Sequence, residues 1–140
     1  IFTSNIKVNI TKYAKETKRN GKSLSDEPWV RYKLADLTIK FEVGRLLIYR
    51  VAWVLSEGKV PNVEAAVAKA YGTKFEAELA NAATLICGPY GQLMPGSKWA
   101  PLNGWATSSY LWSPGYSVQG GTTEILKNIV ALRGLGLPRS

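Results

Sequence analysis

The chain has 140 residues and a mass of 15.4 kDa, enough for one domain with a single buried core. Its 46% hydrophobic and 20% charged residues are typical of a folded globular protein and not of a disordered one. Histidine is absent and Cys87 is the one cysteine, which excludes Ser-His-Asp and Cys-His catalysis, imidazole metal sites and an internal disulfide. The groups that could still take part in catalysis are carboxylates, lysines, tyrosines or a bound cofactor.

The net charge of +8 is concentrated near the N-terminus, where residues 1–33 hold eight basic and three acidic side chains. Such a stretch can contact nucleic acid or another anionic partner, or it can form a solvated helix face, and the pattern favours the solvated face. No apolar run is long enough to span a membrane, and the N-terminus lacks the apolar core of a signal peptide. Because residue 1 is isoleucine, we expect a processed chain or a fragment.

The first helix is predicted from apolar residues at helical spacing, although Ile6, Val8 and Ile10 also alternate as in a strand. The helical positions are Phe2, Ile6, Ile10 and Tyr13. The sequence Arg19-Asn20-Gly21 is the expected stop, with basic residues in the last turn and glycine after it.

The second helix shows the clearest pattern, with Asp26 as the expected N-cap and Pro28 in the first turn. Its apolar seam is Val30, Leu34, Leu37, Phe41, Gly44, Ile48, Val51 and Leu55. A second apolar face carries Trp29, Ile39, Leu46 and Trp53, which predicts burial on more than one side. Gly44 is expected at a close crossing with a neighbouring backbone, and Glu57-Gly58 ends the helix.

The third helix is predicted after Pro61, with Asn62 as its cap and Gly88-Pro89 as its stop. Its inner stripe is Val67, Tyr71, Phe75, Leu79, Ala82 and Ile86. Eight alanines between Ala65 and Ala83 raise its helix propensity and permit close helix packing.

Residues 88–121 are rich in glycine, proline and aromatic residues, and we expect an ordered loop with room for a short helix within 104–113. The last helix begins at Gly120-Gly121-Thr122-Thr123, with Ile125, Ile129 and Leu132 on its inner stripe. The fold class is therefore all-α. We expect an up-and-down four-helix bundle over residues 1–140, with the long aromatic, Gly/Pro-rich loop before the last helix.

Two glycine turns could carry chemistry, one at residues 120–124 and one at residues 87–91. The first is either an anion or cofactor site at a helix start or a simple turn with a threonine N-cap, and the motif alone favours the simple turn. The second is either a helix stop or a loop shaped against a flat ligand. Cys87 is interpreted as a small buried hydrophobe because no base accompanies it. The acid pairs 26–27 and 76–78 are interpreted as helix-start and surface charges, and no metal site is predicted.

Taken together, three segments resemble the C-terminal helical domain of the acyl-CoA dehydrogenase family. They are DEPWVRYKLADL…EVGRLLIYRVAWVLSEGK, LICGPYGQL and GGTTEILKNIVALRGLGLPR, in this order along nearly the whole chain. The resemblance implies a domain that binds FAD across a subunit boundary, beside N-terminal helical and middle β domains that these residues lack. It implies oxidation of an acyl-CoA thioester to the 2-enoyl form, as in fatty acid metabolism, with hydride transfer to the flavin. It also implies a homo-oligomer (tetramer or dimer) and an electron-transfer flavoprotein as electron acceptor.

Carried over by position, the family's flavin contacts fall on residues 85–89, including Gly88, and on Gly121, Thr122 and Glu124. The position that carries the catalytic glutamate in many members is Gly120, so no catalytic residue is assigned. Some members place the glutamate upstream of this segment, and the 140 residues alone are expected to be inactive.

Other departures from the family pattern are a threonine and an asparagine where an arginine and a phenylalanine are common, at Thr17 and Asn20. Leu85 stands where a glutamine is frequent, and Lys18 or Arg19 could supply the missing positive charge.

Two other functions remain open at this point. One is a non-catalytic or diverged subunit of a heteromeric dehydrogenase, and the other is a basic helical module that binds nucleic acid or protein. The leading interpretation includes no nucleic-acid partner and no membrane span. It places the protein in the cytoplasm, or in the mitochondrial matrix if the source is eukaryotic.

Overall fold

The computed structural model describes residues 2–139, with side chains from residue 8 onward. Most of this part of the chain is helical, which confirms the all-α class and is consistent with the predicted bundle. The α-helices are α1 (Phe2–Glu16), α2 (Pro28–Ser56), α3 (Asn62–Cys87), α4 (Trp105–Val118) and α5 (Thr123–Ile129). A π-helical turn at Val130–Gly134 follows α5, and a small hairpin, β1 (Lys18–Arg19) and β2 (Lys22–Ser23), joins α1 to α2.

The helices α2 and α3 form an antiparallel pair. The Tyr71 hydroxyl donates to the Lys40 carbonyl at 3.0 Å, and the Lys40 ammonium lies 2.5 Å from the Glu78 carboxylate. Further along α2, Arg50 approaches Glu64 near the start of α3 at 3.7 Å. Glu78, expected to be a surface charge, is therefore one half of an ion pair between helices. This carboxylate and that of the neighbouring Asp36 raise the pKa of Lys40.

The core lies around α3, whose predicted inner stripe is confirmed over its C-terminal half. Leu79, Ala82 and Ile86 are completely buried, and Phe75 is nearly so. Residues from α1, α2 and α4 complete this cluster: Ile10, Ala14, Val30, Leu37 and Ala106. Two predicted positions of the first helix, Phe2 and Ile6, lie outside the described side chains.

The end of α1 differs from the sequence-based expectation. The helix ends at Glu16, and the expected stop is instead a two-residue hairpin turn with Lys18 opposite Ser23 and Arg19 opposite Lys22. Asn20 and Gly21 both have positive φ, 52° and 80°, as the tight hairpin turn requires. The Asn-Gly pair therefore turns the chain back and does not act as a helix cap.

Helix starts are shifted by one residue from the predicted caps. Glu27 and not Asp26 is the N-cap of α2, and Pro28 occupies the first turn as expected. Pro61 is the cap of α3, and Asn62 is its first residue. A shift of one residue is ordinary for helix ends, because terminal turns fray and their boundaries are defined only to within one or two residues.

The apolar seam of α2 holds only along the N-terminal part of the helix. Val30 and Leu37 are buried, but Ile48 and Leu55 are 62% and 58% exposed, while Val54 is buried instead. Gly44 does sit at a close contact, since a Cβ there would lie 3.5 Å from a ring carbon of Tyr71. Its neighbour is thus an aromatic side chain and not a backbone.

The second apolar face of α2 was expected to be buried, and the structure leaves most of it exposed. Ile39, Leu46 and Trp53 have exposed fractions of 66%, 61% and 49%. Within the part of the chain that the structure describes, nothing covers them fully.

The aromatic segment is ordered as expected, and its helix is longer than predicted. α4 spans 14 residues and packs along α3, with Thr107 donating to the Gly91 carbonyl at 2.6 Å. Trp105 packs against the core, whereas Trp99 and Trp112 are about two-thirds exposed. No helix among residues 2–139 has the length and hydrophobicity needed to cross a membrane.

Leucine truncation in α3 gives a test of this packing. Leu79→Ala should lower the free energy of unfolding by about 2–5 kcal/mol, because it opens a cavity at a side chain with no exposed surface. Leu85→Ala is the matched control in the same helix, since Leu85 is 55% exposed, and it should change stability by about 0.5 kcal/mol or less. Denaturant unfolding of the two variants measures both values, and equal losses would contradict the described core.

The thiol of Cys87 gives a second test. Burial raises the pKa of Cys87 from 9.0 to about 11, so the thiolate fraction near pH 8 falls about a hundredfold. Alkylation of Cys87 in the folded protein should be at least that much slower than in guanidinium, as followed by mass spectrometry of its peptide. Rapid modification of the native protein would place the thiol at the surface.

The same shift has a consequence for stability. Because the folded-state pKa is raised, the protonated thiol contributes stability below about pH 9 that is lost as the pH rises through 11. The Cys87→Ala variant should therefore lose less stability than the parent protein between pH 9 and 11. Parallel loss in both proteins would argue against the shift.

Candidate functional site

The first predicted site segment, residues 85–89, is the turn at the C-terminal end of α3, here called the Gly88 turn. Gly88 caps the helix with φ 63° and ψ −143°, a conformation that favours glycine. A Cβ at Gly88 would lie 3.0 Å from a guanidinium nitrogen of Arg19. The absence of a side chain therefore lets a cationic group lie directly against the turn.

Arg19 reaches this turn because the hairpin is tied to the end of α1. The Ser23 hydroxyl lies 3.0 Å from both the Ala14 and Lys15 carbonyl oxygens, and the Leu24 amide donates to the Thr17 carbonyl at 2.9 Å. These bonds hold the hairpin close to the helix end and fix its direction. The exposed Arg19 is then available to neutralise anionic groups near the Gly88 turn.

Cys87 is the buried residue directly before Gly88 in this turn, with 2% of its surface exposed. Desolvation raises its pKa, and a hydrogen bond with Tyr13 lowers it by a smaller amount. Desolvation also raises the pKa of Tyr13 itself. Both groups stay protonated near neutral pH, and the interpretation of Cys87 as a buried hydrophobe is confirmed.

The second predicted segment, residues 120–124, is here called the α5 start. Gly120 and Gly121 have φ of 71° and 109°, which explains why two glycines precede the helix. Thr122 is the N-cap, and its hydroxyl accepts from the Ile125 amide at 3.3 Å. The threonine cap expected from a simple turn is therefore present.

The charge at the α5 start is supplied by the chain itself. Its own backbone N–H and the Thr122 hydroxyl lower the pKa of the exposed Glu124 carboxylate. An incoming phosphate would meet this negative charge and would compete with it for the same donors. Hydroxyl or amide hydrogens of a ligand fit this arrangement better than an anion does.

The two predicted segments lie far apart in one chain. A Cβ at Gly120 would be 3.8 Å from the Lys69 side chain, and the Lys69 ammonium donates to the Tyr116 carbonyl at 2.7 Å. From Lys69 to Gly88 the chain advances 19 residues, almost all of them in α3, which corresponds to about 28 Å at the helical rise. The structure thus places the Gly88 turn and the α5 start at separate surface positions and not around one pocket.

Two open clefts on the described surface have volumes of about 260 and 450 Å³, and neither is lined by a predicted site residue. The first lies between α3 and α5 and is lined mainly by apolar residues, including Val67, Ala70 and Leu126. The second lies between α1 and α2, where Lys12 and Lys15 are among its lining residues. Neither of these two clefts is therefore the predicted site.

The contact between Arg19 and Gly88 was not identified from the sequence, although Arg19 was noted as a possible source of charge. The signal that could have found it is Asn20-Gly21, a strong indicator of a two-residue hairpin. A hairpin at that point folds back on the end of α1 and presents Arg19 to a neighbouring element. Because these residues were interpreted as a helix stop, the contact between Arg19 and the Gly88 turn was not predicted.

Comparisons with known proteins show which family the chain resembles in sequence and in fold. The family profile described as "Acyl-CoA dehydrogenase, C-terminal domain" matches residues 5–135. Benzylmalonyl-CoA dehydrogenase of Aromatoleum aromaticum is 30% identical over 121 residues, which are 86% of this chain and 30% of that protein. The caffeyl-CoA reductase-Etf complex subunit CarC of Acetobacterium woodii is 35% identical over 82 residues, 59% of this chain and 22% of that protein.

Among solved structures, the ChsE4–ChsE5 complex from Mycobacterium tuberculosis contains a similar chain with a TM-score of 0.89 and 28% identity. The match covers 98% of this chain and 36% of that one. The matched segments thus span between 22% and 36% of the lengths of these relatives. On the family match, the chain belongs to the acyl-CoA dehydrogenase family, in which it corresponds to the C-terminal domain.

Proposed function

We propose that these 140 residues form the FAD-binding and oligomerisation domain of an acyl-CoA dehydrogenase, as one helical domain. The observation that carries the proposal is the family match over residues 5–135, which includes both predicted flavin-contact segments. The complete enzyme would oxidise an acyl-CoA thioester to the 2-enoyl-CoA, with removal of a proton from Cα and a hydride from Cβ. The flavin, when bound, supplies the hydride acceptor.

The residues at the two segments suit different parts of FAD. Arg19, held against the Gly88 turn, would pair with a phosphate oxygen and would replace the arginine that the family places at the position of Thr17. At the α5 start, Glu124 and the Thr122 hydroxyl would hold ligand hydroxyl or N–H groups, since Glu124 is already charged. These assignments rest on the chemistry of the donors.

The proton must leave for a base outside these residues. Gly120 occupies the family's usual glutamate position and has no side chain, so the α5 start contributes binding without proton transfer. We infer that a glutamate in the part of the enzyme preceding residue 1 removes the Cα proton. The isolated 140 residues should therefore be inactive.

A second candidate function is the non-catalytic or diverged subunit of a heteromeric dehydrogenase. The observation that favours it is the high structural similarity to a chain of the ChsE4–ChsE5 complex, together with the glycine at position 120. Such a subunit would bind flavin or a partner chain without supplying the base. No observation described above favours the third possibility, a basic helical module that binds nucleic acid or protein.

The partners that follow from the leading proposal are an acyl-CoA substrate, further copies of the chain in a dimer or tetramer, and an electron-transfer flavoprotein. The last is supported by the Etf complex to which the CarC relative belongs by name. The cytoplasm, or the mitochondrial matrix in a eukaryote, is the proposed location.

The full-length protein gives the direct test of catalysis. It should purify with bound flavin, and anaerobic addition of an acyl-CoA should bleach the flavin absorbance near 450 nm. Flavin that binds but is not bleached by a panel of straight-chain, branched and aromatic acyl-CoA thioesters would favour the heteromeric alternative. A protein with no flavin under any reconstitution condition would contradict the leading proposal.

Arg19 gives the test of the phosphate assignment. In the full-length protein, Arg19→Ala should weaken FAD retention about tenfold or more, because one charge-assisted contact is lost. Lys22→Ala is the matched control, since Lys22 carries the same charge in the paired strand of the same hairpin. Flavin content after dialysis measures both variants, and equal retention in the two would remove Arg19 from the site.

A further inference from the structure

The chain contains two Asn-Gly pairs, Asn20-Gly21 and Asn103-Gly104. The asparagine is left-handed in both, with φ of 52° at Asn20 and 54° at Asn103. Asparagine before glycine is the dipeptide in which the next backbone nitrogen attacks the side-chain amide most readily, because glycine has no side chain to obstruct the approach. The two pairs share this chemistry, so their surroundings decide which of them reacts.

Asn20-Gly21 forms the tip of the hairpin between β1 and β2. Both residues are exposed, and a Cβ built at Gly21 would meet no atom within 4 Å. Among the residues whose side chains the structure describes, none forms a hydrogen bond with the Asn20 side chain. Each strand of the hairpin has only two residues, so the tip opens at little cost in free energy.

Asn103-Gly104 is confined by its neighbours. Gly104 is buried, and a Cβ there would clash with the backbone nitrogen of Pro95. The residue before the pair, Leu102, packs against the core, and α4 begins directly after it. A change of backbone conformation at this pair would have to move the Pro95 loop and the start of α4 together, and close packing opposes that movement.

From this difference we propose that Asn20 is a site of spontaneous deamidation, and that its reaction weakens the pairing of Arg19 with an anion. The Gly21 backbone nitrogen attacks the side-chain carbonyl carbon of Asn20, a C–N bond forms, and ammonia leaves with the proton of that nitrogen. Water then opens the succinimide ring at either carbonyl, which leaves aspartate or isoaspartate at position 20. A left-handed asparagine holds the next nitrogen away from its side chain, so opening of the hairpin tip controls the rate.

Both products act on the neighbouring Arg19, whose guanidinium nitrogen lies 3.0 Å from where a Cβ of Gly88 would be. An aspartate at position 20 places a carboxylate one residue from this guanidinium and competes with any anion that it binds. An isoaspartate also carries its side-chain carbon in the main chain, so the two-residue loop gains one atom and no longer fits the register of Arg19 with Lys22. The effect on flavin rests on the proposed function, in which Arg19 pairs with a phosphate oxygen.

Peptide mass spectrometry of the full-length protein tests the site. During incubation at mildly alkaline pH, the peptide with Asn20 should gain about 1 Da at least about ten times faster than the peptide with Asn103, because only the first pair opens readily. In guanidinium the two rates should be alike, since both pairs have the same chemistry. Equal rates in the folded protein, or a faster reaction at Asn103, would contradict the proposal.

Three substitutions test the effect on Arg19, with flavin content after dialysis as the measurement. Asn20→Asp should weaken FAD retention about two- to fivefold, the range of one exposed charge pair. Asn103→Asp is the matched control, since it adds the same charge at the other pair, and it should retain flavin like the parent protein. Asn20→Gly removes the amide and tolerates positive φ, so this variant should keep its flavin during an incubation in which the parent loses it.

The outcomes separate this inference from the proposed function. A flavin-containing, active protein that deamidates no faster at Asn20 than at Asn103 overturns the modification site and leaves the dehydrogenase proposal standing. Equal flavin retention by the Asn20→Asp and Asn103→Asp variants overturns the effect on Arg19. A protein without flavin that deamidates preferentially at Asn20 supports the site and contradicts the cofactor proposal.

Discussion

The packing of α3 against its neighbours is the constraint on which the rest of the described structure depends. Its C-terminal half has alanine where adjacent helices approach, and Ala82 and Ala83 have no exposed surface. Small side chains let α1, α2 and α4 come close enough to bury the leucine and isoleucine side chains between them. The position of each functional segment follows from this arrangement, because the Gly88 turn ends α3 and the α5 start is held beside Lys69.

The fold could be predicted where hydrophobic periodicity and tertiary packing agree. The bounds of α2 and α3 lie within a residue or two of the predicted ones, since proline and glycine at their ends mark both. The C-terminal half of the α2 seam could not be predicted in the same way. Ile48 and Leu55 satisfy the period, yet Val54 is buried in their place, and periodicity within one helix does not define the path of the neighbouring helix.

The two glycine turns of the candidate site could be predicted from the sequence, but the contacts around them could not. Glycine at positions 88 and 121 indicated turns, and both adopt positive φ. The hydrogen bonds that lower the pKa of Glu124 depend on how its carboxylate folds back on its own amide, and the position of Arg19 at the Gly88 turn depends on a hairpin. These two contacts depend on the relative positions of groups that are set only when the chain folds. The second apolar face of α2 is the converse case, because its pattern predicted burial and the described part of the chain leaves most of it exposed.

The separation of the two glycine turns along α3 has a consequence for how a shared ligand would be retained. If one flavin joins the Gly88 turn of one subunit to the α5 start of its neighbour, cofactor binding and subunit association are linked equilibria. Flavin occupancy then depends on protein concentration, and dilution alone can convert the holoenzyme to apoenzyme. By the same mass action, excess flavin would hold the subunits together at concentrations at which the apoprotein dissociates.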